Sequence, residues 1–258
     1  MLHHIIPFLM LRTRRPLSKV SSGRTKSSSK LLRGSRLWKG QGRLVVRVVM
    51  YSFLSILFCL ASLRVIDPPT TALMTIRRIQ GVVSGRLEAK KWSWVGSDSI
   101  ALVAQQSVIA AEDARFMEHL GVDISSLSRV VSGENRKRPR GASTITMQTV
   151  KNLFLWPGRS YIRKGLEILL APVVELLWGK RRILEIYLNV IEFGEGIYGI
   201  EAAARHYFGH SAAKLTASEA ASLAAILPLP RVLSPKSLTG AGRKRYRRIL
   251  AEAGSVRL

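Results

Sequence analysis

The amino-acid sequence predicts a mostly α-helical domain preceded by a single transmembrane helix. Three observations support this fold class. Apolar residues recur at helical spacing from residue 100 onward, segments with the alternation of a β-strand are few, and one run near the N-terminus carries no charge. The chain has 258 residues, of which 47% are hydrophobic, so it can bury a core and is not wholly disordered.

The net charge of +25 is concentrated at the N-terminus, where 13 of the 41 Lys and Arg residues precede Asp67, the first acidic residue. Residues 1–43 are rich in Ser, Gly, Arg and Lys and show no apolar period, which predicts a basic disordered arm. Such a charge indicates a polyanionic partner, which would be nucleic acid, an acidic membrane surface or a phosphate-bearing substrate. A single cysteine, Cys59, excludes a disulfide framework.

The uncharged run extends from Val48 to Leu63, and Arg47 and Arg64 flank it. Because arginine can place its charge at the interface near a helix end, a transmembrane helix over residues 44–66 is long enough to span a bilayer. A signal peptide or a buried core helix would also contain an apolar run. The long basic arm and the lack of a clear small-residue cleavage site favour a single-pass anchor, with residues 1–43 in the cytoplasm.

The domain is predicted to cover residues 67–235, and Pro68 and Pro69 end the membrane helix before it. Apolar periodicity predicts helices over residues 100–118, 144–155, 162–178 and 181–192. Pro172 is expected to kink the third of these helices. A capping box at Thr216 and Glu219 predicts a further helix, and residues 236–258 form a basic C-terminal helix or tail.

Two short motifs are rejected as sites. Residues 194–199 match the dinucleotide-binding pattern G-x-G-x-x-G, but they do not follow the strand of a βαβ unit, and Glu195 would repel a phosphate. His206 and His210 have the spacing of a zinc pair on a helix, but no Glu follows His206 as that motif requires. Neither motif predicts a nucleotide or zinc site.

Glu112 and Asp113 stand at the end of a predicted apolar helix, close in sequence to Phe116 and His119. A carboxylate there could act as a general base, and a solvated helix end would be an equally good interpretation of the spacing alone. A second polar segment, Gly141-Ala142-Ser143-Thr144-Ile145-Thr146-Met147-Gln148-Thr149-Val150-Lys151-Asn152, favours the first interpretation.

Together, the two segments resemble the peptidoglycan glycosyltransferases of glycosyltransferase family 51. The resemblance continues, in the same order and with similar gaps, through the segments Arg163–Glu167, Lys180–Asn189, Tyr207-Phe208 and Leu215–Pro228. Within the family, the short length and the anchor are similar to the monofunctional biosynthetic transglycosylases. In one departure, many members have a Gln at the position of Met147, which cannot donate a hydrogen bond to a substrate.

The resemblance implies a lysozyme-like catalytic domain that polymerises lipid II into β-1,4 glycan strands for cell wall synthesis, with release of undecaprenyl diphosphate. The implied partners are lipid II, the growing strand on undecaprenyl diphosphate, the membrane and other cell-wall synthesis proteins, and not nucleic acid. The implied location is the cell inner membrane, with the catalytic domain in the periplasm.

The resemblance also assigns residues to the reaction, with Glu112 as general base and Glu167 as second catalytic carboxylate. It leaves room for a divalent cation, Mg²⁺ or Mn²⁺, at Asp113, and implies no organic cofactor. Side chains of the second segment and of the helix after it are the expected substrate contacts: Ser143, Thr144, Gln148, Lys151, Asn152, Arg159, Arg163 and Lys164. Helix capping, surface hydrogen bonds and a salt bridge of Glu167 with Arg163 or Lys164 are the alternatives.

Two other functions stay open at the level of sequence. A membrane-anchored enzyme that cleaves glycan would also use carboxylates, although it needs no cluster of cations for a diphosphate. A non-enzymatic binder of anionic lipid or nucleic acid would explain residues 1–43 but not the ordered motifs. Finally, Phe154 and Trp156 are expected to rest in the outer leaflet, with core packing as the alternative.

Overall fold

The computed structural model describes residues 28–86, 89–132 and 143–258, and it confirms a mostly helical fold. The helices in chain order are α1 (Ser28–Ser62), α2 (Ala72–Val83), α3 (Leu102–Glu112), α4 (Ile124–Val131), α5 (Ile145–Phe154), α6 (Tyr161–Val190), α7 (Ile200–Phe208), α8 (Ala217–Ile226) and α9 (Gly240–Glu252). The strands are β1 (Lys91–Trp92), β2 (Glu192–Gly194) and β3 (Ile197–Tyr198).

Helix α1 is longer at its start and shorter at its end than the sequence predicts. It begins at Ser28, so the expectation of a disordered arm is wrong for residues 28–43, while residues 1–27 lie outside the described residues. Helix propagation costs little once a stable helix exists, so a basic segment can extend the apolar one. The part apolar enough to cross a membrane is Leu44–Ser62, and the helix ends there rather than at residue 66.

The chain divides into two compact units, and the second runs from Ser55 to Leu258. Within it, the end of α1 is held by hydrogen bonds to backbone carbonyls. Trp178 donates its indole N–H to the carbonyl of Leu60 (2.7 Å), and Arg182 donates to the carbonyl of Leu63 (3.0 Å). Both donors lie on α6, so the segment after the membrane helix is fixed to the longest helix of the domain.

The core forms where helices α3, α5, α6 and α8 bury their apolar faces. Helix α5 packs along α6, α3 packs against α8, and α9 covers α8 from the other side. The largest side chains that are fully buried include Tyr187 and Phe116. This packing places the end of α3, the start of α5 and one face of α9 close to one another.

The predicted break in the longest helix is found at a different residue. Pro172 lies inside α6, but the backbone leaves helical geometry at Gly179 (φ 76°, ψ 165°). A proline only removes one hydrogen bond and crowds one carbonyl, whereas these dihedral angles are accessible essentially to glycine alone. Gly179 therefore separates the two halves of α6, which the sequence predicts as residues 162–178 and 181–192.

The sheet is small, with strand order β1-β3-β2, β1 parallel and β2 antiparallel to β3. Strands β2 and β3 form a hairpin, and the segment that matches the dinucleotide pattern lies within it and at its end. The capping box of Thr216 and Glu219 begins α8 as predicted. The C-terminal residues form helix α9 rather than an unstructured tail.

Candidate active site

Glu112 is the last residue of α3, and its carboxylate accepts hydrogen bonds from two sides. Arg245 of α9 donates to Oε1 at 2.5 Å and also to the carbonyl of Ala111, while Gln148 of α5 donates its amide to Oε2 at 2.8 Å. The Glu112 side chain keeps 14% of its surface exposed. The two donors fix the orientation of the carboxylate, and a carboxylate placed in this way can take up a proton as a general base.

Tyr187 fixes which way the amide of Gln148 points. Its hydroxyl donates to Gln148 Oε1 at 3.2 Å, which leaves the amide nitrogen of Gln148 directed at Glu112. Burial, and the negative charge of Glu112, hold the pKa of the Tyr187 phenol well above its usual value. The Tyr187 hydroxyl therefore stays protonated and remains a hydrogen-bond donor. The two successive hydrogen bonds, from Tyr187 to Gln148 and from Gln148 to Glu112, both point their hydrogens towards the Glu112 carboxylate.

The contacts of Asp113 are with groups that hold the fold together. Both of its carboxylate oxygens lie 3.0 Å from His119 Nε2, and Oδ2 also accepts the backbone N–H of Ile145 at the start of α5. The residue is buried, so Asp113 joins the end of α3 to the start of α5. Among the residues that the structure describes, no three His, Cys, Asp or Glu side chains are grouped to hold a metal ion, and Asp113 does not fit the expected cation.

Glu167 is buried on α6 and paired with two cations of the same helix. Arg163 forms a hydrogen-bonded ion pair with Glu167 Oε1, and Lys164 lies 3.0 Å from Oε2. Lys164 also donates to the hydroxyl of Ser143 at 2.6 Å, while Arg163 donates to the carbonyl of Gly158 at 2.7 Å. The salt bridge expected from the spacing exists, and the carboxylate holds both cations in fixed positions at the start of α6.

The cations beside Glu167 raise the local positive charge. Burial, and the nearby charges of Arg163 and Lys151, lower the pKa of Lys164 to about 8. Burial and the charge of Arg163 also lower the pKa of Lys151, and Glu112 partly opposes that shift. Three cations this close repel one another, and an anion between them would relieve the repulsion.

A cleft of about 370 Å³ lies beside these groups. Gln148, Lys151, Asn152 and Arg163 line one side of it, and the segment 227–232 lines the other. The opening thus combines an amide that contacts Glu112 with two cations from α5 and α6. A ligand there would lie between a carboxylate that accepts protons and side chains that attract negative charge.

The remaining expected contacts differ in position. Thr144 is the buried N-cap of α5, accepting the N–H of Met147 and donating to the carbonyl of Gly121, so its hydroxyl has two backbone partners and holds the start of α5. Arg159 is exposed and lies next to the cleft-lining residue Gly158 without lining the cleft itself. Met147 is fully buried in the core, which explains why an apolar residue is tolerated there.

Two residues of this network are absent from the predicted set. Tyr187 lies in a helix whose apolar period predicts a core position, and nothing in the sequence connects it with Gln148. Arg245 is one of several basic residues in the segment 243–248, where no pattern distinguishes a site residue from a solvated charge. Both become recognisable only when α6 and α9 are packed against α3 and α5.

The comparisons with known proteins agree over most of the chain. It matches the family model described as Transglycosylase over residues 80–254. It is similar to three proteins named biosynthetic peptidoglycan transglycosylase. The protein of Caulobacter vibrioides is 45% identical over 217 residues, which cover 83% of this chain and 86% of that protein. The protein of Aeromonas hydrophila is 43% identical over 227 residues (86% and 94%), and that of Haemophilus influenzae is 41% identical over 213 residues (81% and 87%).

Proposed function

Because this chain belongs to the transglycosylase family, we propose that it polymerises lipid II into β-1,4 glycan strands and releases undecaprenyl diphosphate. It is a peptidoglycan glycosyltransferase, an enzyme of cell wall synthesis. The observation that carries the proposed reaction is the position of the Glu112 carboxylate beside a cleft lined by cations.

In the proposed reaction, a sugar hydroxyl of one lipid II attacks the anomeric carbon of the growing strand. The bond from that carbon to the diphosphate breaks, and the diphosphate leaves with the electron pair. Glu112 takes the proton of the attacking hydroxyl. Gln148 and Arg245 hold its two oxygens, so the carboxylate needs little reorganisation to act as a general base.

The leaving diphosphate needs positive charge, and the start of α6 together with α5 supplies it. Lys151 and Arg163 line the cleft, and Lys164, which forms an ion pair with Glu167, lies beside them. Glu167 acts by holding Arg163 and Lys164, which is a positioning role for the second carboxylate. Arg159 is placed on the exposed segment next to the cleft, where it would contact the diphosphate from outside.

The proposed location is the inner membrane, crossed once by the apolar part of α1, with residues 67–258 in the periplasm. Its support is the hydropathy of Leu44–Ser62 and the excess of Lys and Arg before that segment. Phe154 and Trp156 keep 38% and 41% of their surface exposed, so both remain available to rest in the outer leaflet. Partners beyond lipid II and the glycan strand would be other proteins of cell wall synthesis.

The test compares polymerisation of lipid II by the full chain and by Glu112→Gln. We expect the substitution to lower the rate by about 10²- to 10⁴-fold, the usual contribution of a general base. Glu118→Gln is the matched control, because the Glu118 side chain is 61% exposed and pairs only with surface Arg115 among the described contacts. Glycan strands formed at an unchanged rate by Glu112→Gln would remove Glu112 from the reaction.

A second substrate separates the other two functions. Finished glycan that becomes shorter in the presence of the protein would identify a lytic enzyme instead of a transferase. No reaction with either substrate, together with retention on anionic vesicles, would identify a binder. Repeating the lipid II reaction with Mg²⁺ and with a chelator tests the dependence on a divalent cation.

A further inference from the structure

A second cavity, of about 680 Å³, lies next to the active-site cleft. Arg77, Glu192 and Arg231 line both openings, so the cavity and the cleft share one wall. The rest of the cavity is lined by helix α2, by Arg86, Ala89 and Lys90, and by residues of the β2–β3 hairpin. The volume falls within the range of about 300–1,000 Å³ that is usual for sites that bind organic molecules.

The cavity is lined by five basic side chains, which fall into two groups. Arg77 and Arg231 are paired: Arg77 lies 3.5 Å and Arg231 3.7 Å from the buried carboxylate of Glu192. Arg78, Arg86 and Lys90 form no ion pair with a carboxylate of the described residues. The second group therefore presents net positive charge to the cavity.

The basic side chains of the second group affect one another. Burial, and the positive charge of Arg78, lower the pKa of Lys90. The Lys90 ammonium also lies 3.9 Å from the centre of the Trp92 ring, an arrangement that leaves its N–H groups without an acceptor of full negative charge. An anion in the cavity would remove the repulsion between these cations and supply that acceptor.

We propose that this cavity binds the carboxylate-bearing peptide branch of the peptidoglycan precursor while its sugar lies in the active-site cleft. The inference rests on the proposed function, because it takes lipid II as the substrate. The diphosphate has its own cations on α5 and α6, so the next anionic part of the same molecule is the short peptide with its free carboxylates. Because the peptide is attached to the sugar, its site must adjoin the cleft, and the cavity shares a wall with the cleft and is the larger of the two.

An anionic phospholipid headgroup has a related chemistry and is the competing source of negative charge. Thr70, which lines the cavity, follows the membrane helix by only a few residues. The wall that the cavity and the cleft share at Arg77 and Arg231 favours the substrate, because a headgroup would need no site next to the catalytic cleft. The experiment separates the two sources by changing the substrate and the vesicle independently.

The test uses the full chain with Arg78→Gln and Arg86→Gln combined, because both residues line only the second cavity. The substrates are lipid II and lipid II with amidated peptide carboxylates. We expect the double variant to raise the KM for lipid II roughly five-fold with little change in kcat, since partly exposed ion pairs contribute modestly to uniform binding. The KM for the amidated substrate should stay the same in both proteins.

Three controls make the result specific. The matched control combines Lys214→Gln and Arg257→Gln, which remove two exposed charges away from the cavity. Arg78→Lys with Arg86→Lys keeps the charge and should restore the lower KM. Circular dichroism checks that each variant keeps its helices.

Three outcomes would overturn the inference. An unchanged KM for lipid II, or the same increase for the amidated substrate, would exclude the peptide branch as the ligand. An effect that depends on phosphatidylglycerol in the vesicles, whichever substrate is used, would identify a lipid headgroup. In each of these cases the proposed function would still hold, provided that the unmodified chain polymerises both substrates. If the unmodified chain polymerised neither substrate, the proposed function would be refuted as well.

Discussion

At the scale of single residues, the most informative contact is the one between Arg245 and Glu112. It joins the C-terminal helix to the end of α3 at 2.5 Å, and it places a permanent positive charge against the carboxylate that the reaction needs in its ionised form. The guanidinium also donates to the carbonyl of Ala111, so its position is fixed by two acceptors. The C-terminal helix is therefore part of the active site.

Arg245→Gln tests this positioning role. Without this donor, only Gln148 holds the Glu112 carboxylate, and we expect kcat for lipid II polymerisation to fall about ten-fold with little change in KM. Arg245→Lys should restore most of the rate because it keeps a charged donor at this position. Arg247→Gln, an exposed position of the same helix, is the control, and an equal loss of rate in both Gln variants would contradict the assignment.

Lys164 gives a prediction for the alkaline side. Its pKa is lowered to about 8, so it loses its charge as the pH rises through that value, and the KM for lipid II should increase between pH 7 and 9. Unfolded chains hold this proton up to about pH 10.5, the usual value for lysine, so deprotonation of Lys164 makes the folded state more stable across that window. Titration of Lys164 therefore does not itself destabilise the fold in this range.

Lys164→Arg separates this effect from other titrations. A guanidinium stays charged at these pH values, so the KM of the variant should not depend on pH between 7 and 9. Steady-state polymerisation at fixed ionic strength gives both profiles. The same alkaline increase in the variant would assign the titration to a different group.

The roles of individual residues could be predicted from the sequence only in part. Glu112, Gln148 and Lys151 belong to local motifs whose residue types already indicate chemistry, and the structure brings them to one cleft. Thr144 and Asp113 belong to the same motifs but hold the start of α5, because a polar side chain at a helix end caps the backbone as readily as it binds a ligand. Arg245 requires the packing of α9, which no local pattern encodes.

At the scale of elements, the break in α6 at Gly179 determines the path of the chain. The second half of the helix carries Tyr187, which orients Gln148, while the first half carries Glu167 and its cations. The positive φ at Gly179 thus sets the angle between two groups of active-site residues. A β-carbon at this position would meet no other atom, so the requirement for glycine is one of backbone conformation.

Gly179→Ala should therefore lower the free energy of unfolding by about 1–3 kcal/mol, the usual cost of forcing a residue other than glycine into this region. Gly165→Ala is the control in the same helix. It also meets no neighbouring atom, and its helical backbone should gain roughly 0.5–1 kcal/mol from the substitution. Thermal unfolding in detergent measures the stability of both variants. Equal destabilisation by Gly179→Ala and Gly165→Ala would contradict the assignment of the effect to the backbone conformation of Gly179.

Apolar spacing and a capping box predict α3, α5, α6 and α8, but they predict neither α2, α4 and α7 nor the small sheet. Strands of two or three residues are too short to show alternation, and β2 and β3 are recognised only by their pairing. The start of α1 shows the opposite error, since a basic composition predicts disorder while attachment to a stable helix extends the helical backbone to Ser28.

At the scale of the whole molecule, the distribution of charge separates two functions. Under the proposed function, the Lys and Arg residues before Asp67 would set the orientation in the membrane, and basic residues of the catalytic unit line two openings that would face anionic parts of one substrate. The polyanion indicated by the composition is in this interpretation a lipid-linked precursor. The net charge alone could not distinguish that precursor from nucleic acid.

The orientation gives a prediction for the intact cell. Protease added to spheroplasts should digest residues 67–258 and leave a tag at the N-terminus unaffected, because the positive-inside bias keeps the basic segment in the cytoplasm. Immunoblots against both ends of the chain measure this. If the protease removed the N-terminal tag and left the domain intact, the chain would have the opposite orientation in the membrane.

The hydrogen bonds that hold the end of α1 to α6 have a consequence for how the enzyme meets its substrate. Ser62 is separated from α2 by nine residues, and the carbonyls of Leu63 and Ile66 in that connection are held by Arg182. The connection between α1 and α2 is therefore fixed to α6. In the proposed membrane location, enzyme and lipid-linked precursor would diffuse in one plane, so the rate of their encounters would depend on surface density rather than on volume concentration.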